Sequence, residues 1–138
     1  MTHVQVQGEI GASADAVWGL VGDFGGFVKA LGAPVDLEGE GIGTLRTIKF
    51  GSRPAVVERL EELDHDAQRI TYTILEAGPL PVRDYRATMQ LAPSGDSSCT
   101  LTWFSDFEPQ GASEDDAVKA VRGVYDGGIA GLQRHFAS

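Results

Sequence analysis

From Val35 to Glu108 the chain keeps a two-residue apolar rhythm in short runs, and after Ser113 the rhythm becomes that of a helix. This change of period limits the possible folds more than any other feature. Alternation over a few residues marks strands with one covered face. Runs near 35–40, 43–50, 54–63, 69–77, 82–92 and 98–108 fit that description. Between them stand "GEG", "GSRP", "DHDA", "GPLP" and "PSGDS", all rich in turn-forming residues. Loops this short make neighbouring strands antiparallel. The segment 114–136 instead gathers Ala117, Val118, Val121, Val124, Tyr125, Ile129, Leu132 and Phe136 on one arc. Lys119, Arg122, Asp126, Gln133 and Arg134 take the other side. Ser113, with Asp116 three residues on, is a capping-box-like start, and Glu114 and Asp115 suit the positive end of a helix. Such a helix is ~35 Å long at ~1.5 Å per residue. After a curved antiparallel sheet, it should lie across the concave face.

Upstream, "HVQVQGEI" reads as a first strand. "GASADAVWGLVGDF" has Ser13 as N-cap and a helical stripe of Val17, Trp18, Leu20 and Val21. "GDFGGFVKAL" breaks that helix and starts a second short one. The predicted order is one strand, two short helices, six strands and a long C-terminal helix.

The stretch "GTLRTIKFGSRPAVVERL" reads as a hairpin turning at Gly51-Ser52-Arg53. If Phe50 faces Pro54, Ile48 faces Val56 and Arg46 faces Glu58. Alternation then puts an ion pair on the face that also carries Ile48, Val56 and Leu60. Either the pair sits at the solvent edge of the sheet, or that face lines a cavity. A dry core would charge both ions their desolvation with little return. Further along, the inward set contains Ile70, Tyr72 and Ile74, then Arg83, Tyr85, Ala87, Met89 and Leu91, then Cys99, Leu101, Trp103, Ser105 and Phe107. Strand 82–92 is ambiguous, since Val82, Arg86 and Thr88 alternate with that set and a one-residue bulge would exchange Arg83 and Tyr85 for Arg86. On the helix, Gly128 falls inside the apolar arc, with Gly123, Gly127 and Gly131 at its edge. Each interior glycine costs ~0.5–1 kcal/mol against alanine. Close helix–sheet contact, a kink, or space left for a ligand would each account for them.

The order of elements resembles the helix-grip fold of the SRPBCC superfamily, which includes birch-pollen-allergen-like proteins and START domains. "SADAVWGLVGDFGGF", "GIGTLRTIKF", "VVERLEELD", "GPLPVRDYRATMQLAPSG" and "TWFSDFEP" carry the resemblance, and together they look closest to the polyketide cyclase/dehydrase branch. The fold class implied is α+β, a curved antiparallel sheet wrapped around a long C-terminal helix, with two short helices after the first strand. The resemblance also implies a deep pocket for a small, largely hydrophobic molecule, aromatic or polyketide-like, and no cofactor. Cyclisation or dehydration by acid–base chemistry is the reaction class it suggests. Arg46 would bind a carbonyl or enolate oxygen, Glu58 would be the acid or base, and Tyr72 and Tyr85 would orient the substrate. Ile48, Leu60, Ile74, Met89, Trp103, Phe107, Val121, Tyr125 and Gly128 are the expected ligand-binding wall. The same pocket without chemistry would make a carrier, and a large exposed apolar patch would favour a co-chaperone-like partner-binding protein.

Length and charge narrow the setting. A chain of 138 residues suits one domain, 1–138. With 20 acidic and 11 basic residues, its net charge of −9 argues against nucleic acid and anionic membrane partners. "MTHVQVQGEIG" has no charged leader followed by an apolar stretch, so the cytoplasm is expected. His3, His65 and His135 lack ligand spacing, so no metal is expected. Cys99, the single cysteine, reads as an inert buried thiol. Monomer and homodimer both remain open.

Overall fold

Val4 and Ile10 on strand β1 (Thr2–Ile10) are fully buried while His3, Gln5, Gln7 and Glu9 face out, as the alternation requires. The structure, a computed structural model, describes residues 1–137, with Phe50 described by its backbone alone. Helix α1 (Ala14–Val21) starts at Ser13, whose hydroxyl accepts from the Ala16 amide. Asp23 then accepts from the Gly25 and Gly26 amides at 3.3 and 3.0 Å, which starts the short helix α2 (Gly26–Ala30). Six strands follow: β2 (Val35–Glu38), β3 (Leu45–Phe50), β4 (Arg53–Asp64), β5 (Arg69–Glu76), β6 (Val82–Gly95) and β7 (Ser98–Pro109). The long helix α3 (Glu114–Phe136) closes the chain. Its N-cap is Ser113, with three acids in its first turn and Arg134 and His135 in its last.

The seven strands form one antiparallel sheet in the order β1-β7-β6-β5-β4-β3-β2. Register shifts interrupt β3–β4, β4–β5 and β6–β7. Such bulges bend strands and increase twist, and here they accompany a sheet curved enough to hold a helix. In the β3–β4 hairpin Ile48 pairs with Val56 and Arg46 with Glu58, as expected. Phe50 pairs with Arg53 rather than Pro54, because the register shifts after Ile48 and the turn tightens to Gly51-Ser52. Gly51 takes φ +66° there, which suits a residue without Cβ.

Strand β6 resolves its ambiguity in a third way. A bulge between Arg83 and Arg86, with Asp84 at φ +52°, buries both Val82 and Tyr85. Arg83, expected inward, lies outside and pairs with Asp84 at 2.9 Å. The bulge lets a charged "RD" step be spent on the solvent side while apolar residues flanking it stay in the core.

Helix α3 lies against β1 and β7, and α1 packs on β6 and β7. A Cβ on Gly8 would run into Ile129, so helix and sheet meet closely there. Ala117, Val121, Tyr125, Ile129 and Leu132 are the buried face of α3. Among the described residues no helix is long and apolar enough to cross a membrane.

Candidate functional site

Farther along the concave face, between α2, α3 and strands β3 to β5, the packing opens into a cavity of about 280 Å³. Phe27, Val28, Leu31 and Ala33 form one side. Val124, Gly127 and Gly128 of α3 form a second. Arg46, Ile48, Glu58, Tyr72 and Trp103 form the sheet wall. Leu31 and Val124, both exposed, mark its mouth.

Arg46 is only 4 % exposed and Glu58 6 %, so the ion pair is not at the solvent edge. Arg46 Nε donates to Glu58 Oε1 at 2.8 Å, and Nη2 reaches the same oxygen at 2.6 Å. Nη1 donates to the Phe24 carbonyl at 2.7 Å. The guanidinium also lies 3.9 Å from the Phe24 ring centre and 5.1 Å from that of Tyr72. Such a sandwich suits the weakly hydrated, planar arginine head. Both arginine nitrogens converge on Oε1, and no described residue donates to Oε2. Burial raises the Glu58 pKa above its ordinary value, and the attraction and hydrogen bonds of Arg46 only partly offset this.

Tyr72 lines the cavity, and its hydroxyl accepts from Trp103 Nε1 at 3.2 Å. Its pKa is raised by burial first and the Glu58 charge second, outweighing Arg46. Tyr72 therefore stays protonated and can donate a hydrogen bond to a bound oxygen. Tyr85 is placed differently. Its hydroxyl meets that of Tyr125, away from the cavity lining, and burial pushes both phenols up. Trp103 stacks on Tyr125 with ring centres 4.3 Å apart and so stands between the cavity and that phenol pair.

Of the expected ligand wall, Ile48, Trp103 and Gly128 line the cavity. Met89, Phe107, Val121 and Tyr125 are closed into the core, and Ile74 is half-buried against it. Leu60 faces a different depression, a wide groove of about 630 Å³ with Trp18, Phe24, Leu37 and Leu63. That groove is the larger of the two, but it holds no buried charge. Gly128 is near the ring of Trp103: a Cβ there would stand 2.6 Å from it. Close contact explains this glycine; at Gly131 a Cβ would meet only the end of the exposed Leu31 side chain, at 2.6 Å, which can move aside. Gly123 and Gly127 have open space instead. Strand alternation does not point to the residues of α2 and the loop after it as cavity wall. The apolar spacing Phe27, Val28, Leu31 was the available signal.

A long helix laid across a curved seven-stranded antiparallel sheet, with short helices after the first strand, is the helix-grip class of fold. The chain belongs to the polyketide cyclase / dehydrase and lipid transport family, whose model matches residues 1–137. XoxI from Bacillus cereus is 27 % identical, covering 99 % of this chain and 96 % of that one, with a TM-score of 0.89. An uncharacterized protein from Bacillus thuringiensis is 28 % identical, covering 99 % and 100 %, with a TM-score of 0.90. The Zhui aromatase/cyclase from Streptomyces sp. R1128 is 19 % identical over 98 % of this chain and 90 % of that one, with a TM-score of 0.72, a likeness of fold alone. No curated protein matches the chain.

Proposed function

We propose that the protein binds a small, largely apolar aromatic or polyketide-like molecule in the cavity beneath α3 and promotes its cyclisation or dehydration by acid–base chemistry. One observation carries the reading: a buried carboxylate with a raised pKa has one oxygen held by Arg46 and lines an apolar cavity. A carboxyl group tuned upward exchanges protons more readily near neutral pH, as general acid–base catalysis needs. Glu58 takes or returns a proton on carbon or oxygen of the bound molecule. Arg46 holds the carboxylate in place and stabilises its charge. Tyr72, protonated, donates to a carbonyl or enolate oxygen. Tyr85 supports the wall from behind through Tyr125. The family description supports this class of chemistry.

The test begins with wild-type protein and a panel of aromatic and poly-β-carbonyl compounds, scored for binding and for product. Glu58→Gln keeps the shape and the acceptor for Arg46 but removes the base. Turnover should fall ~10²–10⁴-fold with binding retained. Unchanged turnover in this variant would remove Glu58 from the mechanism. Tight binding with no turnover by the wild type would leave a carrier.

A further inference from the structure

The cavity mouth borders a second depression. Leu31 and Gly127 line the cavity and also line a neighbouring depression of about 340 Å³, completed by Ala30, Gly131, Arg134 and His135. The two spaces therefore share a border. One is apolar and the other carries two basic side chains. Among the described residues, neither Arg134 nor His135 makes a side-chain hydrogen bond or an ion pair. The C-terminal end of α3 accounts for cations in the last turn. It does not account for their facing the one side of the helix that adjoins the cavity, in a chain whose net charge is −9.

Size points the same way. Ligand pockets usually measure ~300–1,000 Å³. The cavity alone falls just below that range, and the two spaces together fall within it. Gly127 leaves the helix side open, with nothing within contact distance of a Cβ there, while the end of the Leu31 side chain lies against Gly131 and forms the partition between the two spaces. With the exposed Leu31 side chain turned aside, an elongated molecule could place its apolar body beneath Gly128 and its end group beside Arg134.

We infer that the natural ligand is an amphiphile with an anionic head group, a carboxylate or phosphate, and that Arg134 with His135 binds that head at the mouth of the cavity. This rests on the cavity reading above and adds the charge class of the ligand. Arg134 is a planar donor suited to such a group. It is a binding residue at the mouth, remote from the proton transfer assigned to Glu58.

Two fluorescent probes with one aromatic frame separate the claims: N-phenyl-1-naphthylamine is neutral, and 8-anilinonaphthalene-1-sulfonate carries the anion. Wild-type protein should bind both, each displacing the other, with the sulfonate favoured. Arg134→Gln should weaken the sulfonate about five- to tenfold and shift the neutral probe less than about twofold. Arg134→Lys should recover part of the loss, and circular dichroism checks that the variants are folded. If the neutral probe binds normally and the sulfonate ignores Arg134→Gln, the head-group site is wrong and the cavity stands. If the sulfonate binds but the neutral probe does not displace it, the anion sits elsewhere and the inference also falls. If the neutral probe finds no site at all, the cavity reading fails and takes this one with it.

Discussion

Under β1 and β7, helix α3 presses so close that Gly8 has no room for a side chain beside Ile129; near β3 to β5, Arg46, Glu58 and Tyr72 face a cavity instead. The same helix and the same sheet make both regions. Where they touch, the face is neutral: Val4, Leu101, Leu132 and Cys99 are fully buried, and the Tyr85 and Tyr125 hydroxyls satisfy each other. Where they part, the face carries an ion pair. A straight helix cannot follow a strongly curved sheet along its whole width, so one region is filled by contact and the other by α2 and empty space. Charge is tolerable only in the second, because a cavity admits water or ligand to share the cost of desolvation.

The largest effect that would test this contrast is Glu58→Ala. It leaves the buried Arg46 guanidinium without its partner and should cost ~3–5 kcal/mol in denaturant melts. A loss below ~1 kcal/mol would mean that the pair is well solvated, and the two regions would then differ little. Next comes Gly128→Ala at the boundary. Its Cβ would meet Trp103, a ring held between Phe27 and Tyr125, so overpacking should cost ~1–3 kcal/mol. Gly123→Ala on the open side of the same helix meets nothing and should gain ~0.5–1 kcal/mol. Equal changes at the two positions would show that contact with Trp103 is not what keeps Gly128.

The subtlest effect is a slope with pH. Folding raises the Glu58 pKa above its ordinary 4.5, so the folded state holds this proton more tightly than the unfolded chain. Wild-type stability should therefore fall, relative to Glu58→Gln, as pH rises from 4.5 through the raised value. Melting temperatures of both proteins between about pH 4 and pH 8 measure this. A difference that stays flat would mean the carboxylate is not desolvated.

Much of this contrast is legible in the sequence. The Arg46–Glu58 pairing follows from counting outward from one turn, because a hairpin turn fixes register for residues on both arms. The same count misplaced Phe50 by one residue, since a bulge near a turn leaves no clear mark in composition. At β6 the sequence offered two alternations and the structure took Val82 and Tyr85 from each, a result that depends on Asp84 accepting a positive φ. The long helix and its caps were legible because Ser113 and its acids act locally. The cavity wall was not. Whether Met89 or Val28 touches empty space depends on how far α2 and α3 stand from the sheet, a distance that no single strand or helix encodes.

The pairing of β1 with β7 has a consequence in time. His3 and Asp106 meet across 103 residues of chain, so the first strand has no partner until the seventh exists. The hairpins from β3 to β7 are local and can form early, whereas β1 closes the sheet late, at a high cost in loop entropy. During synthesis at ~5–20 residues per second, β1 waits roughly 5–20 s with an open edge. Helix α3, which packs on β1, can find its final seat only after that wait, so the cavity beneath it is among the last parts of the molecule to take shape.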